Sequence, residues 1–205
     1  MGEKFIYTIG HSDHTAERFI TLLKQHFIAA VADVRSAPYS RIHSQFNKDA
    51  LAALLEKEGI KYVFLGKELG ARPDDPSCYK NGQADFDLIA ERKEFKSGLE
   101  RVLKGGDKFC LALMCAEKEP LDCHRTILVC HSLKHVGIGI RHVLADGTLE
   151  NHQDTEARLI KLTKSEQNLF DQDVSDYERL EQAYKKRARE IACRIENKEV
   201  NHDKY

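Results

Sequence analysis

The sequence predicts an α/β protein: a three-layer sandwich with a mainly parallel central sheet of about five strands, followed by a long C-terminal helix. Three observations predict it. Short apolar, β-branched segments alternate with amphipathic ones as far as residue 162, the order expected of a parallel sheet covered by helices. Residues 28–34 and 109–115 are almost continuous apolar runs, which suits strands buried on both faces. Past residue 165 the pattern becomes one narrow apolar stripe at spacings of three and four.

Residues 4–9 form the first expected strand, turned by Gly10-His11-Ser12. Residues 15–26 carry Phe19, Leu22, Leu23 and His26 at helical spacing, with Thr15 as the N-cap. A second strand covers 28–34. Asn47 caps a helix over 47–58 with a Leu51, Leu54, Leu55 stripe, and Gly59 ends it. A third strand covers 60–65. Residues 66–84 hold Gly66, Gly70, Pro73, Pro76 and Gly82 and read as a long loop, a common home for function. A helix over 86–103 stops at Gly105-Gly106, and a fourth strand follows over 109–115. Asp122 caps a helix over 123–135, closed by Gly137. A fifth strand over 138–144 turns at Asp146-Gly147, and a short helix spans 154–162.

Residues 1–163 are thus expected to form the α/β domain, and 164–205 an amphipathic helical tail. The tail stripe is Phe170, Val174, Tyr177, Leu180, Tyr184, Ala188, Ile191 and Ile195. Acids crowd its start and bases its second half, as the helix dipole prefers. One long helix over about 171–197 is expected, burying Phe170, Tyr177, Tyr184 and Ile191. It docks on the domain, pairs two chains into a homodimer or binds another partner.

Composition limits the function. With 41% hydrophobic residues a core can form, and a formal charge of −1 gives no global field for holding nucleic acid, leaving only a local basic patch. No apolar run approaches the ~20 residues of a membrane span. The N-terminus lacks a signal-peptide pattern, so a cytoplasmic protein without membrane contact is expected. Six cysteines in 205 residues do not read as a disulfide framework.

The polar residues gather where strands end. Gly10-His11-Ser12, then Arg35-Ser36 and Arg41, then Glu68, then Cys115 with Glu117 and Cys123-His124-Arg125 follow successive strands. In a parallel sheet those ends share one edge, where ligands bind. Cys123, His124 and Arg125 fall in a first helical turn, whose free N–H groups and dipole favour an anion or a thiolate. Ser12, Arg35, Ser36, Arg41 and Arg125 are therefore the expected anion-binding set. His11, Glu117, Cys115, Cys123 and His124 are the expected catalytic set, with His11 and Glu117 moving protons. The spacing C-x7-C-H matches no short zinc motif, so no metal ligands are assigned and a metal is not favoured.

The motifs Thr8-Ile9-Gly10-His11-Ser12, Asp33-Val34-Arg35-Ser36-x-Pro38-x-Ser40-Arg41, Gly59-Ile60-x-Tyr62-x-x-Leu65-Gly66-x-x-Leu69-Gly70 and Cys115-Ala116-Glu117…Pro120-x-x-Cys123-His124-Arg125, with Phe46 between them, resemble the family known as domain of unknown function 488. The resemblance covers about residues 4–150, and the tail from Leu169-Phe170 through Tyr184 to Ile191-Ala192-x-Arg194 resembles that family's C-terminus. Ala71 stands where the family often has a second glycine. The resemblance implies a Rossmann-like fold. It implies no activity, although some members carry labels linked to DNA repair. The Asp-Val-Arg strand end and the later strand–Cys–loop–Arg–helix are also similar to rhodanese and cysteine-phosphatase layouts, with a longer C-x9-R loop.

The expected function is an enzyme acting on a phosphate-bearing substrate, a nucleotide or nucleic acid, in a cleft at the C-terminal strand ends. The alternatives are a rhodanese-like or phosphatase-like thiol transferase and a non-catalytic nucleotide- or nucleic-acid-sensing module.

Overall fold

A computed structural model describes residues 4–165 and 174–195. Its main sheet has six strands in the order β3-β2-β6-β1-β7-β8. These are β1 (Phe5–Gly10), β2 (Ala30–Asp33), β3 (Lys61–Phe64), β6 (Leu111–Cys115), β7 (Gly139–Val143) and β8 (Leu149–Asn151). The first five are parallel, while β8 runs antiparallel to β7. The expected five strands are present, and β8 is an addition. Its Leu-Glu-Asn carries no β-branched residue, so nothing local marks it as a strand.

Strand β6 lies between β1 and β2, with Gly10 opposite Cys115 and Asp33 opposite Met114. The residues after β1, β2 and β6 therefore meet at the middle of one rim. Side chains alternate along β6. Ala112 and Met114 pack with Phe19, Leu23, Phe46, Leu51 and Leu55 on the face covered by α1 (Ala16–Gln25) and α2 (Lys48–Lys57). Leu111, Leu113 and Cys115 enter the larger opposite core with Phe95, Val102, Ile127, Leu128, Leu159 and Tyr184. That core is covered by α5 (Lys93–Gly106), α7 (His152–Leu162) and α8 (Asp176–Ile191). No helix of the described residues is long and apolar enough to cross a membrane.

Several local expectations change. Thr15 caps α1, its hydroxyl accepting from the Arg18 N–H, but Asn47 spends its side chain accepting from the Ser40 N–H at 2.6 Å. The expected helix over 86–103 is two, α4 (Phe86–Glu91) and α5, broken at Arg92, which is extended. The loop over 66–84 contains α3 (Gly66–Leu69) and a hairpin of β4 (Tyr79–Lys80) and β5 (Gln83–Ala84). Asp122 does not cap the next helix. It ends a 3-10 turn (Pro120–Asp122) and pairs with Arg187. After it comes a π-helical turn, Arg125–Cys130, continued by α6 (His131–Lys134).

The tail helix docks within the chain. Ser175 and Glu178 form a reciprocal capping box. Leu180, Ala183, Tyr184, Ala188 and Ile191 pack on the large core. Tyr184 stacks on His131 with ring centroids 4.0 Å apart. Tyr177, expected to be buried, is 61% exposed. The inward position of the first turn belongs to Arg179, which bonds back to the Val174 carbonyl, and residues two apart on a helix face opposite ways. Phe170 lies outside the described residues, and the helix expected over about 171–197 is shorter: it starts after the Ser175 cap and ends at Ile191, with Ala192 extended. Past α8 the chain pairs with the hairpin, Ile195 N–H donating to the Gly82 carbonyl at 2.7 Å. This sets Ile191 and Cys193 into the wall of the rim cleft.

A candidate site of two thiols, a carboxyl and an imidazole

A cleft of about 210 Å³ opens beyond β2 and β6. Arg35, Ser36 and Ala37 line one side, Ala71 and Arg72 another, and Phe86, Ile191 and Cys193 a third; Cys115, Ala116, Glu117, Asp122 and His124 complete it. Backbone closeness builds it. A side chain at Gly10 would collide with the Glu117 carbonyl, so glycine there lets the loop after β6 cross the end of β1. His11 and Ser12 N–H groups tie that loop down by donating to the Cys115 and Ala116 carbonyls. Ser36 Oγ accepts from the Arg72 N–H at 3.0 Å and fixes the loop after α3.

The chemistry gathers at the end of β6. Glu117 Oε2 lies 3.0 Å from the Sγ of Cys115 and 3.0 Å from the Sγ of Cys123, accepting from both. His124 Nδ1 is 3.6 Å from Cys115 Sγ and 4.0 Å from Cys123 Sγ. Its Nε2 donates to the Val34 carbonyl at 2.9 Å, which turns Nδ1 toward the sulfurs. Cys123 stands at the mouth of the helix, its carbonyl accepting from Ile127 N–H and its sulfur from Arg125 N–H at 3.4 Å. The sulfurs and Nδ1 of Cys115, Cys123 and His124 all lie within 4.8 Å of one another, close enough to hold one metal ion.

Burial raises the Cys115 thiol, and Cys123 adds to that. Burial also acts to raise Cys123, but the Cys115 hydrogen bond, the Arg125 charge and His124 outweigh it, leaving that thiol well below its ordinary range. Burial lifts the Glu117 carboxyl above its usual value. Burial opposes the charged form of His124, yet its contacts with Cys123 raise it on balance.

The structure sorts the expected residues into three places. Cys115, Glu117, Cys123 and His124 converge, with Arg35 and Ser36 on the facing wall. Arg125 does not offer its guanidinium to an anion. It is fully buried and donates to the Glu117 and Lys118 carbonyls at 2.7 and 3.3 Å and to Thr8 Oγ1 at 3.4 Å. His11 is likewise engaged at both nitrogens: Nδ1 donates to the Ser12 carbonyl at 2.9 Å, and Nε2 accepts from Arg35 at 3.1 Å. Its ring stacks on Phe46, and burial lowers its pKa to about 4. It positions Arg35 instead of lining the cleft.

Arg35 is held from two more sides. Asp33 takes its Nε and Nη2 at 2.9 and 2.7 Å, and the Phe46 carbonyl also accepts from Nη2. Tyr62 donates to the same carboxylate at 2.8 Å. Ser12, at φ 47°, turns its hydroxyl to Asp13 outside the cleft. Arg41 is exposed and outside the cleft lining. Arg72 was not among the expected residues. An exposed arginine in the long Gly/Pro loop is a weak signal that only the three-dimensional cleft makes specific.

No curated protein and no solved structure matches this chain. The family profile described as Domain of unknown function DUF488 matches residues 15–131, more than half of the 205 residues, and the chain belongs to that family.

Proposed function

We propose that the protein is a cytoplasmic enzyme acting on a phosphate-bearing substrate, a nucleotide or the end of a nucleic acid strand, in this cleft. The observation that carries the reading is the convergence of two thiols, a carboxyl and an imidazole at the base of an open cleft with two arginines on its walls. Such groups are costly to bury together, and a purely structural core has no need of them. Arg72 holds the phosphate, while Arg35, its charge paired with Asp33, has only the Nη1–H that His11 leaves free to add a hydrogen bond. The Cys115, Glu117, Cys123 and His124 group forms the reacting centre, with Glu117 taking and returning a proton. A cleft of about 210 Å³ admits a phosphate and its sugar rather than a whole nucleotide. The remainder would lie along the exposed loop holding Tyr39, Arg41 and Ile42, where Tyr39 is 62% and Ile42 85% exposed. A basic residue beside an exposed aromatic suits an unpaired base and its backbone.

The geometry disfavours a cysteine-phosphatase cradle. There, arginine and loop N–H groups would face the anion together. Here Arg125 binds the loop's carbonyls.

The test is a turnover screen with nucleotides and with short strands bearing 5′- or 3′-phosphates. Conversion of one class should fall at least about 100-fold in Glu117→Gln, a loss of about 2.7 kcal/mol of transition-state stabilisation. Arg72→Ala should mainly raise KM. Tight binding without turnover would make the protein a sensor, and neither binding nor turnover would remove phosphate from the reading.

A further inference from the structure

We propose that Cys115, Cys123 and His124 hold a zinc ion, with the remaining coordination position open to the cleft and to Glu117. The three donor atoms come from rigid, separate sources. Cys115 is the last residue of the central strand β6. Cys123 is fixed by its carbonyl, which accepts from Thr126 and Ile127 N–H groups. His124 is anchored across the cleft on the Val34 carbonyl. The sulfurs are almost wholly buried, Cys115 at 2% and Cys123 at 1% exposure.

Distances fit the ion. Tetrahedral zinc with Zn–S of about 2.3 Å and Zn–N of about 2.1 Å has S···N edges of roughly 3.6 Å. The two edges here are 3.6 and 4.0 Å. The outer contact fits as well. A metal-bound histidine donates its other ring N–H to a carbonyl or carboxylate, which fixes the ring. His124 Nε2 makes that bond to Val34, and Nδ1 faces both sulfurs. Two sulfurs and one nitrogen at this spacing select zinc over oxygen-seeking cations.

Openness suggests a working ion. Cys115, Glu117 and His124 all line the cleft, so the centre is not sealed on all sides as a purely structural zinc is. Charge also balances: two thiolates and the Glu117 carboxylate bring three negatives, and zinc with Arg125 brings three positives. Uptake of Zn²⁺ displaces to solvent the protons that its ligands still carry, with no electron transfer.

The linear spacing hides this set because the 3-10 turn at Pro120–Asp122 folds the chain back. That brings residue 123 beside residue 115.

Metal content needs no substrate, so this site stands or falls apart from the proposed activity. Full-length protein purified without chelator should carry about one zinc per chain by elemental analysis. Chelator-stripped protein should take up Zn²⁺ with release of protons, and Co²⁺ should give thiolate-to-cobalt and tetrahedral d–d absorption. Cys123→Ser and His124→Gln should each weaken uptake at least about tenfold, while Cys110→Ser should leave it unchanged. Zinc should also protect two of the six cysteines of wild-type protein from alkylation, a readout that survives if a variant fails to fold. Folded wild-type protein that takes up neither Zn²⁺ nor Co²⁺, with all thiols equally reactive before and after chelation, would overturn the proposal. Loaded protein that neither binds nor converts the phosphate-bearing compounds would keep the metal site and sink the phosphate reading.

Discussion

Two buried polar assemblies meet at Arg125, and they differ in kind. On one side lies the cleft group of Cys115, Glu117, Cys123 and His124. On the other, a single-file chain runs through the core. Arg125 Nε–H donates to Thr8 Oγ1, whose hydroxyl donates to His142 Nδ1 at 2.8 Å. His142 Nε2 then donates to His152 Nδ1 at 2.9 Å, His152 Nε2 to Tyr184 Oη at 3.1 Å, and Tyr184 to Glu156 at 2.9 Å. Lys134 closes the far end on Glu156. In this chain every hydrogen has one assigned place, which fixes both histidine tautomers. Such closure stabilises and specifies the core. In the cleft group, two sulfurs share one carboxylate oxygen and one ring nitrogen, and the group opens to solvent. Complete pairing marks structure, and shared acceptors at an opening mark chemistry.

Arg125 is the joint, so removing it should have the largest effect. Arg125→Met strips a fully buried cation from three oxygens and leaves the Glu117 and Lys118 carbonyls and Thr8 without their partner. Each buried acceptor left without its donor costs about 1–3 kcal/mol, so the two carbonyls together set a loss of about 2–6 kcal/mol. Urea unfolding should show it as a lower midpoint. A change below about 1 kcal/mol would mean the two assemblies stand independently.

The second effect is on pH. Burial drives the His152 pKa down to about 4 and pushes His142 well below its ordinary value. Both histidines bind protons more weakly folded than unfolded. Their stabilisation is therefore complete above about pH 6.5 and is lost as pH falls toward 4. A drop of this size at His152 alone corresponds to about 3 kcal/mol. His11 has the same sign in the same window, so His152→Gln should flatten the acid limb of the stability curve without abolishing it. An unchanged slope in that variant would mean that the chain is not where the protons go.

The same contrast explains what could be read from residues alone. Strand order by type, Thr15 as a cap and the gathering of Cys115, Glu117, Cys123 and His124 at strand ends all follow from local periodicity and the geometry of parallel sheets. Which charges are already spent does not. Arg125 looks like a site residue in one dimension because the sequence does not show that the loop turns the Glu117 and Lys118 carbonyls onto it, and His11 because its partner Arg35 follows another strand. The break at Arg92 was hidden for another reason: no glycine or proline marks it. Arg72 was hidden because its meaning depends on the turn that Ser36 imposes from another loop.

The smallest effect falls at the far end of the closed chain. Tyr184→Phe keeps the ring that stacks on His131 and removes only the hydroxyl between His152 and Glu156. Glu156 retains Lys134 at 2.8 Å, so its charge stays paired. His152 Nε2 alone loses its acceptor in a buried place, and one such orphaned donor costs about 1–3 kcal/mol. The ring's packing is kept, which sets the expectation near the lower end, read as a modest fall in the urea midpoint at pH 7. Turnover and metal content should match wild type, because no atom of the cleft group changes. Should Tyr184→Phe instead alter metal affinity or activity with little loss of stability, the closed chain would be transmitting to the cleft through Thr8 and Arg125. The division between a structural and a chemical assembly would then have to be given up.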